Sequence, residues 1–112
     1  MGDWYLRQGD TLKPIEALLV DPAGAAIDLS GMTVQLTAWD PSLGTVLIDR
    51  AAAEVVTGDP DVNVRYQPTD ADVAQKGLFA MFWTVVDGTG KRWSVPNSGH
   101  DRLHISLDPA AE

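Results

Sequence analysis

The chain has 112 residues, no cysteine, and sixteen acidic against eight basic residues, for a formal net charge of −8. That length suggests one domain with a modest core, and an apolar content of 45% sets it apart from disordered sequences. The charge opposes binding to a phosphate backbone or an anionic membrane, and the missing thiols exclude a disulfide framework and a thiolate metal site.

The acidic residues are scattered, as in a coat that keeps a small domain soluble. No apolar run nears the ~20 residues that span a bilayer. Met1-Gly2-Asp3-Trp4 shows neither the basic nor the apolar region of a signal peptide. The chain therefore reads as a complete short protein made in the cytoplasm.

In chain order, Trp4, Tyr5 and Leu6 form either a short first strand or an arm, residues 1–7, that docks elsewhere. A turn at Gln8-Gly9-Asp10-Thr11 leads to a strand over Ile15–Val20, with Pro14 at its start, where a missing N–H costs little. Asp21-Pro22-Ala23-Gly24 has proline and glycine where a tight turn wants them. A short apolar phrase, Ile27–Leu29, and a turn ending at Gly31 precede a strand over Thr33–Trp39. There Val34, Leu36 and Ala38 alternate with Thr33, Gln35, Thr37 and Trp39. Strands follow over Thr45–Asp49, Ala53–Thr57 and Val62–Tyr66, although Ala51–Glu54 also has helix propensity.

Gln67–Gly77 is the one place that admits a helical turn, with Thr69 as cap, Asp70 and Asp72 at its N-terminal end and Gly77 as its stop. Leu78–Val86 is apolar on both faces, so it belongs at the centre of a sheet. Asp87-Gly88-Thr89-Gly90 signals a hairpin into Lys91–Val95. Leu103–Leu107 closes the domain and residues 108–112 form a short tail. About eight short strands with turns between them argue an all-β sandwich or barrel.

Little in the sequence points to chemistry. His100 and His104 share a face of an extended strand but stand ~13 Å apart there, too far for one ion. The oxygen-rich Asp59, Asp61 and Asn63, and likewise Asp70 and Asp72, lack a full calcium-loop pattern; such residues commonly bond their own backbone in turns. Ser94 and Ser98 lie near His100 and Asp101 only in sequence, and no Gly-x-Ser-x-Gly elbow is present. No catalytic, metal-binding or cofactor-binding residue is assigned, and no cofactor is expected. Of the four tryptophans, Trp83 reads as core, while Trp4, Trp39 and Trp93, together with Tyr5, are the candidates for an interface.

Four phrases occur in order: Arg7-Gln8-Gly9-Asp10-Thr11-Leu12; Asp21-Pro22-Ala23-Gly24 followed by Ile27-Asp28-Leu29-Ser30-Gly31-Met32-Thr33-Val34; Gly77-Leu78-Phe79-Ala80-Met81-Phe82-Trp83; and Val95-Pro96-Asn97-Ser98-Gly99. Their order and spacing over nearly the whole chain resemble small bacteriophage structural proteins, in particular the N-terminal domain of baseplate upper proteins. The resemblance implies an immunoglobulin-like antiparallel β-sandwich, a single domain over residues 1–112. It implies a non-enzymatic virion protein of the tail, baseplate or fibre-attachment region. That protein would dock in several copies onto other phage tail or baseplate proteins, with neither nucleic acid nor membrane as partner. Longer relatives continue into coiled-coil or receptor-binding parts, whereas this sequence stops at Glu112, which suggests a stand-alone connector. Two competing readings are a carbohydrate-binding module of a host-adsorption apparatus, using Trp39 or Trp93, and a small metal-dependent hydrolase built on His100 and His104.

Overall fold

Apolar residues at every second position make Thr33–Trp39 (β3) a strand with one face dry: Val34, Leu36 and Ala38 are buried. Gly77–Val86 (β6) runs antiparallel beside it, so that Leu36 faces Trp83 and Ala38 faces Met81. Trp83, Met81 and Leu36 are among the most completely buried side chains, and they form the middle of the core. The computed structural model describes residues 3–21, 23–95 and 101–106, and no helix occurs among them. Correspondingly, no helix there is long and apolar enough to cross a membrane.

Six further strands complete one sheet: Asp3–Arg7 (β1), Ile15–Ala17 (β2), Val46–Val55 (β4), Val64–Tyr66 (β5), Arg92–Val95 (β7) and Asp101–Ser106 (β8). The order is β1-β8-β6-β3-β4-β5-β2, with β7 paired to β6. The sheet curls until it is nearly closed into a barrel, with β1 and β2 as its two ends. β7 and β8 lie one after the other along the same edge of β6, β7 against its C-terminal half and β8 against its N-terminal half.

One pairing departs from the antiparallel arrangement expected above. β1 runs parallel to β8, with Trp4 opposite Leu103 and Leu6 opposite Ile105. Residues 1–7 were open to being a strand or a free arm; β1 is a strand of the sheet, with Leu6 buried in the core.

The two strands expected at 45–49 and 53–57 are a single strand, β4. Thr37 lies opposite both Asp49 and Arg50, and Leu47 is a second extra residue between the Ala38–Ile48 and Trp39–Val46 pairs. Such bulges bend a strand and shift its side-chain phase. Arg50 takes the positive φ of 47° that the first bulge needs. Beyond the bulges, β4 leaves β3 and pairs through Glu54 and Val55 with β5.

β2 is shorter than expected because a side chain takes over its ladder. Asn63 accepts from the Leu19 N–H at 2.7 Å and donates to the Leu19 carbonyl at 3.0 Å. The chain then forms a small hairpin, Val20 against Ala26, whose turn is held by Asp21 and by Gly24 at φ 89°.

The expected helical turn after β5 is only a turn. Thr69 and Asp72 cap each other, Thr69 N–H to the Asp72 carboxylate and Asp72 N–H to the Thr69 hydroxyl. Asp72, however, is buried and accepts a 2.5 Å hydrogen bond from the Tyr66 hydroxyl. That bond draws the segment onto the sheet instead of letting it wind outward.

Candidate docking site

The register assigns every candidate a face. Trp4 points inward, is half-buried, and its indole N–H donates to the Glu16 carbonyl of β2 at 2.6 Å. It therefore bridges the two ends of the nearly closed sheet. Lys13 assists by donating its ammonium to the Tyr5 carbonyl at 2.8 Å.

Tyr5 points outward and stacks on His104 with ring centroids 4.6 Å apart. His104 lies opposite Leu78 on its other side, so Tyr5, His104 and Leu78 form a row across β1, β8 and β6. Asp3 binds two neighbours on β8: its carboxylate is 2.9 Å from His104 Nε2 and 3.0 Å from Arg102 Nε. The hydrogen bond to His104, then the Arg102 charge, hold the Asp3 carboxyl below the ordinary carboxylate range.

Trp39 also points outward, edge-on to Phe82 at 5.6 Å, with Ala80 and Val46 as its neighbours across the sheet. Trp93 is opposite Val85 and so lies on the inner side, at the other end of the sheet. Trp39 and Trp93 are thus on opposite faces and make no common platform for a sugar ring. Trp83 is fully buried, as its strand required.

A pattern missed in the sequence emerges at one end. The Gly77 end of β6 gathers the C-terminal ends of β1, β3 and β8 and the start of β4. The loop over residues 8–13 docks there too: Gly9 N–H donates to the Val73 carbonyl, and Gln8 and Gln67 bond across to Ala74 and Thr11. The five most exposed large apolar side chains, Tyr5, Leu12, Leu43, Val46 and Leu78, all belong to this end, from 49% exposed at Leu78 to 93% at Leu12. The remaining three exposed ones, Leu18, Val20 and Trp93, are each 37% exposed and lie elsewhere.

Between the loop that joins β3 to β4 and the segment before β6 lies a groove of ≈ 310 Å³. Its walls are Leu43, Thr45, Val46, Leu47, Gln75 and Phe79, with no charged group. A groove of this size admits an apolar side chain from a partner. Leu12 and Leu43 were legible in one respect, since each is a leucine set inside turn residues, where burial against the chain's own core is hard.

In the oxygen-rich loops Asp59, Asn63 and Asp72 are engaged within the protein. Asp59 accepts from the Asp61 N–H at 2.8 Å, Asn63 holds Leu19, and Asp72 holds Tyr66 and Thr69. His104 is engaged with Asp3, whereas His100 and Ser98 lie outside the described residues. Among the described residues no three His, Asp or Glu side chains converge as metal ligands. Compared with models of known protein families, with curated proteins and with solved structures, the chain has no significant match.

Proposed function

We propose that this chain is a non-enzymatic structural protein of a bacteriophage virion. It acts as a connector in the tail, baseplate or fibre-attachment region, and it works by docking onto neighbouring virion proteins in several copies. The observation that carries the docking reading is the concentration of exposed apolar side chains at one end, beside an uncharged groove. Exposed apolar side chains gathered at one end of a small acidic domain, beside an uncharged groove, are what a protein interface offers. The virion assignment rests on the ordered turn and strand phrases of the sequence.

The proposal includes an immunoglobulin-like sandwich. Two features of the strand order support it. A first strand runs parallel beside the last one, and β4 passes from a pairing with β3 to a pairing with β5, as a strand shared between two packed layers would.

The test is light scattering on the purified protein, alone and co-expressed with the products of neighbouring genes. A defined ring or fibre complex containing this chain supports the proposal. A protein that ignores every neighbour yet is retained by host polysaccharide moves the assignment to a carbohydrate-binding module.

A further inference from the structure

We propose that the open edge of β7 is a second docking site, which takes an extended, acidic strand from a partner protein; the inference rests on the docking role above. β7 pairs with β6 on one side, and among the described residues no strand covers its other side.

The ladder shows which groups face the open edge. Asp87 N–H donates to the Lys91 carbonyl at 3.0 Å, which fixes the hydrogen-bonded pairs of this hairpin at 87/91, 85/93 and 83/95. The backbone N–H and C=O of Arg92 and Ser94 therefore point away from β6, toward the open edge.

The same edge accepts a strand further along. β7 and β8 follow each other on one side of β6, and β1 occupies the outer side of β8. β1 places Trp4 and Leu6 inward and Asp3 outward against Arg102. An added strand would continue that line alongside β7. Its inward side chains would meet Trp93 and a shallow groove of ≈ 110 Å³ lined by Met32, Val85, Asp87, Lys91, Arg92 and Trp93, in which the Asp87 carboxylate is already taken up by Thr89 and the Lys91 N–H. Its outward ones would meet Arg92.

Charge selects the occupant. Lys91-Arg92 is the only pair of adjacent cations in a chain of net charge −8. Neither side chain has an acidic partner among the described residues, whereas Arg65 pairs with Glu16 and Arg102 with Asp3. Lysine and arginine on an edge repel a second copy of the same edge. They attract a strand with carboxylates at alternate positions, which gains main-chain hydrogen bonds by augmenting the sheet.

The experiment is amide hydrogen exchange on the intact chain, with a short capped peptide alternating glutamate and leucine as the probe. Its counterpart with lysine for glutamate is the control. The acidic peptide is expected to slow exchange at Arg92 and Ser94 about tenfold when present at about ten times its dissociation constant. The basic peptide should leave both amides unchanged, and K91E/R92E should reverse the preference. Ser94→Pro removes one outward N–H without touching the β6 ladder and should abolish protection. Equal protection by both peptides overturns the inference by showing that the two cations select nothing, and protection by neither overturns it and assigns the cations to guarding the edge. The readout is confined to β7, so a negative result leaves the docking end at Gly77 untouched.

Discussion

The indole N–H of Trp4 in β1 donates to the backbone carbonyl of Glu16 in β2 at 2.6 Å, and these two strands are the opposite ends of the sheet. A residue that reads as a surface anchor thus serves to hold the sheet nearly closed. Trp4→Phe keeps most of the ring and loses the bond, and should lower unfolding free energy by about 1 kcal/mol. Trp4→Ala also empties the inward position and should cost about 3 kcal/mol. Urea unfolding of the two variants checks the order. If Trp4→Ala is as stable as the parent, the seam is not held by this side chain.

Tyr66 gives the stability a dependence on alkaline pH. Burial, and then the hydrogen bond to Asp72, push its phenol well above the ordinary value of 10.0. A raised folded-state pKa means that the unfolded chain releases this proton first. The contribution is therefore complete below pH ~10 and is lost as pH rises toward the folded-state value. Unfolding followed at pH 9 to 11, a window set by tyrosine's ordinary titration, should show a fall in the parent that is much reduced in Tyr66→Phe. At neutral pH the same variant leaves the buried Asp72 with one donor fewer and should cost about 1–3 kcal/mol. An identical alkaline slope in both proteins would remove Tyr66 as its source.

Arg50 holds a positive φ of 47° in the β4 bulge while its side chain is exposed. A non-glycine residue there carries strain of about 1 kcal/mol or more, which glycine relieves. Arg50→Gly should raise the urea midpoint, by up to about 1 kcal/mol in stability, and Arg50→Val should lower it. A less stable glycine variant would mean that the guanidinium makes a contribution larger than the strain.

How much of this was legible in the sequence divides along a physical line. β3 is legible to its bounds because unbroken alternation over seven positions has only one strand phase, and β6 to within one residue because a continuous apolar run rich in aromatic and β-branched residues ends at glycine on one side and at a hairpin signal on the other. The Asp87–Gly90 hairpin was legible for the same local reason: the Asp87 carboxylate accepts from Thr89 and Lys91, and Gly90 supplies φ 89°. β4 was split in two because its bulges at Leu47 and at Asp49–Arg50 reset the phase that alternation relies on. The shortening of β2 comes from Asn63, a residue that alternation places on the polar face of a strand over Val62–Tyr66 but whose amide reaches a backbone 44 positions away. The parallel pairing of β1 with β8 joins residues 3 and 102, and no local pattern records it.

The docking end was hidden for the same reason. Tyr5, Val46 and Leu78 are far apart in sequence and reach one end of the sheet only through the register of β1, β3, β4, β6 and β8, and the loops carrying Leu12 and Leu43 follow β1 and β3 to that end. Tyr5 was singled out for being aromatic near a terminus. Val46 and Leu78 were counted with strand faces, and nothing in alternation distinguishes an apolar residue facing solvent from one facing the core when both faces are apolar.

The measurement that bears most directly on the docking account is the mass, by light scattering, of complexes formed by Val46→Asp with its co-expressed neighbours. Val46 is exposed and lines the uncharged groove, so a carboxylate there would be buried without a partner on docking. The account predicts a variant that unfolds at the parent's temperature yet remains outside the complex the parent joins. A Val46→Asp protein that enters the same complex in the same stoichiometry would contradict it.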